Sequence, residues 1–318
     1  MIDTSITGRR YLITGGGGFL GSHLVRRLIS LGARVSVVNH STVSPWRLAD
    51  IKGYFTLHHA DVTDVKRLTE AMDAVRPDGI FHLAAYGVDS ADQDIRRAID
   101  VNVLGLINVI DAMRHCGCTR LVAMGSGAEY GIHEGPISED DPLQPQSVYA
   151  SSKAAATVVA HPYARRHGVG IVTLRPFGIY GEAEPRHKLF CETILTLLDG
   201  NPLNLTPGGQ CRDYCHVADI TTALVMSMTD SSLTDEVFNV GTGELRSLRE
   251  YVEHIRALID PAGEVHFGAL PYRRDEVFAP APDTRHIREK LGWRPLIDLD
   301  QGLERTVTWF RANRQLYQ

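Results

Sequence analysis

The run Thr14-Gly-Gly-Gly-Gly-Phe-Leu-Gly21 constrains this chain more than any other segment. It follows a short apolar stretch, Arg10-Tyr-Leu-Ile-Thr14, that reads as a buried strand. After it, Leu20, Leu24, Leu28 and Leu31 recur at helical spacing until Gly32 ends the pattern. Glycines at 15, 18 and 21 satisfy a GxxGxxG spacing between strand and helix. Glycine permits the tight turn, lets backbone approach a diphosphate, and lets the helix sit close to the sheet. Exposed amides and the helix dipole at that N-terminus attract the anion. The expectation is a dinucleotide site, with Gly15, Gly18, Phe19, Leu20 and Gly21 as its cradle.

The same alternation continues. Ala33–Val38, Thr56–Val62, Gly79–Ala85, Arg120–Ser126 and Gly170–Arg175 read as further strands. Helices are expected between them: one capped by Thr63 and Asp64 and running to Val75, one over Ile95–Cys116, and one over Val148–His167. Strands apolar throughout, each followed by a helix, indicate a parallel sheet covered on both faces, an α/β doubly wound (Rossmann) fold. Pro162 should kink or end the third helix. After Pro176 the rhythm breaks, with Gly178, Gly181, Pro185, Pro202 and Pro207-Gly-Gly209 punctuating the chain. The domain reading is therefore a dinucleotide-binding unit over 1–176, with a returning segment near 217–241, and a smaller substrate-binding α/β region over 177–216 and 242–318. A last helix spans Asp300–Phe310, with Leu303, Val307 and Phe310 on one face.

Composition limits the partners. With 43% hydrophobic and 22% charged residues, the chain is an ordinary globular sequence. A net charge of -5 disfavours nucleic acid and anionic membrane surfaces, although a local basic pocket stays open. No apolar run reaches the ~20 residues of a membrane span, and the N-terminus lacks a signal-peptide layout. Five cysteines without a CxxC pair read as neutral thiols of a cytoplasmic protein, with no metal site.

About 20 residues beyond the glycine loop, an acidic residue would bond the ribose hydroxyls of NAD. Here the strand ends Val38-Asn39-His40, without a carboxylate. Asn39 cannot repel a 2′-phosphate, and His40 and Arg47 could favour one, so the reading is NADP, with NAD as the alternative. On that alternative Asn39 bonds the ribose and Arg47 is a surface residue. Asp61 and Val62 belong beside the adenine, where Asp61 could equally be a helix cap.

Tyr149-Ala-Ser-Ser-Lys153 places a tyrosine and a lysine on one helical face. A nearby ammonium favours phenolate and should lower the Tyr149 pKa from ~10 towards working pH. Such a tyrosine can exchange a proton with an alcohol or sugar oxygen. Ser126, at a strand end, would share that oxygen. The order along the chain is glycine loop, strand-end serine, then YxxxK.

With these motifs in place, the sequence resembles the extended short-chain dehydrogenase/reductases, in the NAD-dependent epimerase/dehydratase branch that acts on nucleotide sugars. The resemblance covers nearly the whole chain. It is carried by Thr14–Gly21, His82-Leu83-Ala84-Ala85, Asn102-Val-Leu-Gly105, Ser126 with Tyr130-Gly131, Tyr149/Lys153, Leu174-Arg-Pro176, Tyr180-Gly181, Arg212-Asp-Tyr214 with Val217 and Asp219, and Leu291-Gly-Trp293 with Pro295. It implies that Tyr149 is the acid/base, that Lys153 holds the nicotinamide ribose, and that Ser126 orients the substrate oxygen. It adds Leu83, Ala84, Ala85, Asn102 and Pro176 to the cofactor set. Arg212 would grip a sugar-nucleotide diphosphate, with Arg273 either a second diphosphate arginine or a loop salt bridge to Asp275 or Glu276. Arg186, His187 and Lys188 lie at the substrate mouth or form a solvated basic loop. Tyr86 and Gly127, adjoining these segments, join Lys188 in the substrate-binding set. The implied partner is a nucleotide-diphosphate sugar, and the family's habit implies a homodimer through the two long helices.

Departures from the family pattern narrow the reaction. The family's 4,6-dehydratases carry an Asp-Glu pair directly after the catalytic threonine, and decarboxylating relatives a Glu two residues after it. Gly127 and Ala128 stand there instead, and Glu129 comes one place later. Elimination needs such an acid and base. The family's frequent diphosphate-binding Asn is replaced by Gly178. The resulting expectation is an NADPH-dependent 4-ketoreductase of an NDP-4-keto-6-deoxyhexose. An NAD-dependent 4-epimerase is the alternative. A catalytically silent cofactor sensor is a third reading, disfavoured because such proteins commonly lack the Tyr/Lys pair.

Overall fold

Segments with no polar alternation need cover on both faces, and the chain supplies it. A computed structural model describes residues 6–40, 45–89, 91–272 and 281–317. The first half runs β1 (Arg10–Thr14), α1 (Phe19–Ser30), β2 (Arg34–Asn39), β3 (Phe55–His59), α2 (Val65–Val75), β4 (Gly79–His82), α3 (Ile95–Ala98), a π-helical stretch (Ile99–Leu104), α4 (Gly105–Cys116), β5 (Arg120–Met124), α5 (Val148–Arg166) and β6 (Gly170–Pro176). There follow β7 (Gly178–Tyr180), α6 (Leu189–Leu198), β8 (Leu203–Leu205), β9 (Cys211–Arg212), β10 (Tyr214–His216), α7 (Val217–Thr229), β11 (Asp235–Val240), β12 (Arg246–Ser247), α8 (Leu248–Ile259), β13 (Val265–Phe267), α9 (Arg285–Leu291) and α10 (Leu299–Asn313).

Seven strands form one parallel sheet in the order β11-β6-β5-β4-β1-β2-β3. Leu24 and Leu28 of α1, Ile220 and Leu224 of α7 and Ile287 of α9 cover one face. Leu68 and Met72 of α2, Ile110 and Met113 of α4, and Ala156 and Ala160 of α5 cover the other. A third core, around Phe190, Tyr251, Leu303 and Phe310, joins α6, α8 and α10 beyond the sheet. Each fully buried Leu or Phe contributes about 1.5–3 kcal/mol relative to exposure, so these cores hold the frame on which the strand ends sit.

The expected elements recur with shifted ends. Strands β3, β4 and β5 stop short of Val62, Ala85 and Ser126, because the chain there leaves the ladder to line a cleft. The Asp64 carboxylate caps α2 by accepting from the Arg67 amide at 3.1 Å. The helix expected over Ile95–Cys116 is instead α3, a π-helical stretch and α4 in unbroken succession. The widened turn carries Asn102, whose side chain reaches the Tyr86 backbone. Nor does Pro162 end α5, which runs to Arg166. The carbonyl it leaves without a helical donor belongs to Val158, on the exposed face where water can serve it. Among the described residues no helix is long and apolar enough to cross a membrane, and no group of three or more His, Cys, Asp and Glu could hold a metal. All five cysteines are free.

Candidate functional site

The C-terminal ends of the parallel strands open into a cleft of about 750 Å³, at the position where doubly wound sheets bind ligands. Its floor is the glycine loop. Gly15 has φ +71, and a Cβ there would lie 2.7 Å from the Ala84 nitrogen. A Cβ on Gly21 would stand 2.2 Å from the Gly15 carbonyl oxygen. Gly18 precedes α1 without any side-chain cap, and no acidic residue sits in the first turn. The helix therefore presents amide groups and its positive end to the cleft, beside a hollow that side chains would fill. These residues fit a diphosphate-bearing dinucleotide.

At the β2 end, the cleft is lined by Asn39, His40, Asp61 and Val62, and by Arg97, which the sequence reading missed. Asp61 accepts from the Thr63 amide and hydroxyl at 2.9 Å each, and from Arg97 at 2.8 Å, with His40 Nε2 3.2 Å away. Burial pushes its carboxyl up, but these donors hold it below the usual carboxylate range. Asp61 is thus both a turn cap and a cleft residue. Arg47 is a correction. Its Nε donates to the Ala183 carbonyl at 2.8 Å and its guanidinium lies over the Trp46 ring, so it does not line the cleft.

In the middle stand Ser126, Tyr149 and Lys153, with Leu83, Ala84, Ala85 and Pro176 on the walls. Ser126 follows β5, and Tyr149 and Lys153 ride the first turns of α5, whose start is capped by Ser147. The Lys153 ammonium donates to the Met124 carbonyl. Burial pushes Lys153 down to about 8, against the pull of the Glu129 carboxylate. The expectation of an acidified phenol is not met. Burial pushes Tyr149 up to about 12, and its hydrogen bond with Ser126 offsets this only in part. Behind them, His82 is held neutral by burial, its pKa lowered to about 3, with Nδ1 2.9 Å from the Thr14 hydroxyl. Asn102 is a second correction. Its carboxamide exchanges bonds of 2.8 and 2.9 Å with the Tyr86 backbone and donates to Ser152 at 2.8 Å, so it shapes the cleft from behind.

The far end is lined by Tyr86, Lys188, Arg212 and Tyr214, joined by Phe177 and Glu184, which sequence reasoning did not single out. The Lys188 ammonium donates to the Val88 carbonyl at 3.0 Å, spanning the mouth. Arg212 Nη1 donates to the Cys211 carbonyl at 2.9 Å and its own carbonyl accepts from the Tyr251 hydroxyl at 3.2 Å, while the Asp213 carboxylate next along the chain accepts from Thr242 and Gly243. Glu184 is buried, accepts from the Cys191 amide at 2.9 Å, and is pushed up to about 8 by burial. Gly127 is a third correction: it lies beneath the Phe177 ring, where a Cβ would meet ring carbon at 2.7 Å, and does not line the cleft. At Gly178 a Cβ would come within 2.5 Å of the Asp213 carbonyl oxygen and 2.6 Å of the Tyr214 ring. Arg273 lies outside the described residues. Glu129 is fully buried, with one oxygen accepting from the Ser126 amide and the other paired with Arg175.

A family model described as "NAD dependent epimerase/dehydratase family" matches residues 11–241. A UDP-glucose 4-epimerase of Mycolicibacterium smegmatis is 31% identical, the alignment covering 96% of this chain and 100% of the relative. The fold superposes on a UDP-glucose 4-epimerase of Thermotoga maritima solved with UDP-glucose, with TM-score 0.89, 25% identity, and coverage of 96% and 99%. It also superposes on a Thermus thermophilus UDP-glucose 4-epimerase in complex with NAD, with TM-score 0.87, 29% identity, and coverage of 96% and 99%.

Proposed function

This chain belongs to the NAD dependent epimerase/dehydratase family of enzymes, and on that premise we propose that it is a nucleotide-sugar oxidoreductase, an NADPH-dependent 4-ketoreductase of an NDP-4-keto-6-deoxyhexose. The observation that carries this reading is a cleft holding Ser126, Tyr149 and Lys153 in which no acid stands at either position of the dehydratase pair. Gly127 sits under Phe177, Ala128 has no acid, and both Glu129 oxygens are engaged, one by the Ser126 amide and the other by Arg175. What remains suits oxygen protonation and hydride exchange at one carbon.

When bound, a nicotinamide would supply the hydride. Tyr149 gives its phenolic proton to the substrate oxygen as the carbonyl becomes an alcohol, and Ser126 donates a hydrogen bond to the same oxygen. Lys153 holds the ribose and restores the Tyr149 proton from solvent. Arg212 and Lys188 counter the diphosphate charge. NADP is favoured over NAD because Asn39 replaces the ribose-binding carboxylate while His40 and Arg97 line that end. Ile95, Ile99 and Leu104 on one helix run and Val158 and Val159 on α5 are exposed apolar side chains, which supports a homodimer through these helices.

A second reading, 4-epimerisation, is favoured by the named activities of the relatives. One experiment separates them. Mixed with an NDP-4-keto-6-deoxyhexose, the enzyme should oxidise NADPH stoichiometrically at 340 nm. Inversion of an NDP-hexose at C4 without net cofactor consumption would establish the epimerase and sink the reductase.

A further inference from the structure

Beneath the reacting groups lies a buried ion pair that the chemistry so far described does not use; one member, Glu129, also closes the capping box of the short helix that Ser126 opens. Glu129 is fully buried and Arg175 is 4% exposed. The Arg175 Nε donates to Glu129 Oε2 at 2.8 Å, while Glu129 Oε1 accepts from the Ser126 amide at 2.8 Å. Arg175 Nη1 donates to the Tyr130 hydroxyl at 2.7 Å, which donates in turn to Asn239 Oδ1 at 2.8 Å. Strand pairing sets Asn239 of β11 directly beside Arg175 of β6. Gly125 makes room for the pair, since a Cβ there would lie 2.7 Å from Glu129 Oε1 and 2.9 Å from Arg175 Cγ.

A buried ion pair is seldom a net source of stability, because desolvation of both charges offsets their attraction. What it does impose is position. The chain leaves β5 at Gly125, whose amide still donates to the Leu174 carbonyl of β6 at 2.7 Å, and Ser126 then caps a short 3-10 helix over Gly127–Tyr130, its hydroxyl accepting from the Ala128 amide at 3.2 Å while Glu129 closes the capping box on its amide. The only side chain bonded to the Ser126 amide among the described contacts is Glu129. Glu129 is in turn fixed by an arginine anchored on β6.

We propose that Glu129 and Arg175 are positioning residues that set the Ser126 hydroxyl against the Tyr149 hydroxyl, and so the geometry of proton delivery. The proposal rests on the Ser126/Tyr149 reading of the site. A displacement near 1 Å in such a group can cost about 100-fold in rate.

The test is a double-mutant cycle. Glu129→Gln keeps an acceptor for the Ser126 amide but turns an amide N–H towards Arg175, breaking the pair. Its kcat should fall at least about tenfold while KM and the cofactor Kd stay within about twofold. In a Ser126→Ala background the same change should cost less than about twofold, because the group it positions is already gone. Arg175→Lys, which keeps the charge and loses the fork, should repeat the pattern. Losses that multiply across the cycle would overturn the proposal, as would an unchanged kcat or failure of both variants to fold, which would assign the pair to stability. The 13C shift of Tyr149 Cζ, assigned through Tyr149→Phe in cofactor-free protein, gives a readout that needs no turnover. Glu129→Gln should move it in the direction that Ser126→Ala does, and no movement overturns the proposal. A wild-type enzyme silent on every NDP-sugar would instead refute the functional reading and leave the spectroscopic result standing.

Discussion

Gly21→Ala adds one methyl group where the helix and the glycine loop are closest. The new Cβ would sit 2.2 Å from the Gly15 carbonyl oxygen, 2.7 Å from Gly16 Cα and 3.0 Å from the Gly15 carbonyl carbon. Heavy atoms of this kind settle at roughly 3.5–4.0 Å, so the loop or helix must move by about 1 Å. The loop cannot move freely, because the same Gly15 oxygen accepts the Gly18 amide at 3.1 Å and closes the turn. Overpacking of this sort costs about 1–3 kcal/mol. If the strain is relieved by moving the loop, that cost falls on the cofactor, weakening it about 5- to 150-fold at 1.4 kcal/mol per decade. If the helix moves instead, Tm falls by about 1.5 °C per kcal/mol in a chain of this length. Fluorescence titration with NADPH, beside a calorimetric melt, reads both. Gly53→Ala, where no atom lies within 4 Å, serves as the control and should change neither. A Gly21→Ala protein with unchanged Kd and unchanged Tm would refute the steric reasoning.

Other expectations concern the remaining walls of the cleft. Tyr149→Phe should lower kcat by about 100-fold or more while leaving NADPH affinity within about threefold, measured by single-turnover absorbance and by titration. Glu184 loses its proton near 4.5 when unfolded but holds it to about 8 when folded, so its contribution to stability falls as pH rises between those values. Glu184→Gln has no such proton, and urea unfolding should show it gaining on the wild type across pH 5–8, by on the order of 3 kcal/mol at pH 8; parallel pH curves would contradict this. Gly127→Asp should destabilise the fold through the Phe177 ring, 2.7 Å from the added Cβ, and Phe177→Ala in the same chain should restore much of the lost Tm.

The glycine loop and the strand ends were legible because their signals are local: a strand, a spacing and a helix within a few residues. The same holds for Tyr149 and Lys153, one helical turn apart. Arg47 misled because proximity in sequence to Asn39 was read as proximity in space, whereas the short helix bearing it turns its guanidinium to Ala183, 136 residues on. Asn102 was found as a motif, but its role depends on a bond to Tyr86 that no spacing encodes. Arg97, Glu184 and Phe177 enter the cleft from loops and helix starts whose direction only tertiary packing decides. Glu129 was visible one place beyond the expected acids, yet its partner stands 46 residues later on another strand. Pro162 was read by its helix-breaking chemistry, and its position near the end of α5, opposite solvent, softens that effect.

The route of the chain has a mechanical consequence. It leaves the large sheet after β6, builds β7 and α6 outside it, returns through α7 against α1, adds β11 beside β6, and departs once more. His23 of α1 meets the Glu182 carbonyl at 2.6 Å, and Arg305 of α10 bonds the Glu182 carboxylate at 3.0 Å. The chain thus passes more than once between the large sheet and the elements outside it, and Glu182 ties α1 to α10. The cleft is walled by elements held in place at more than one point, and its mouth is crossed by the side-chain bond from Lys188 to the Val88 carbonyl.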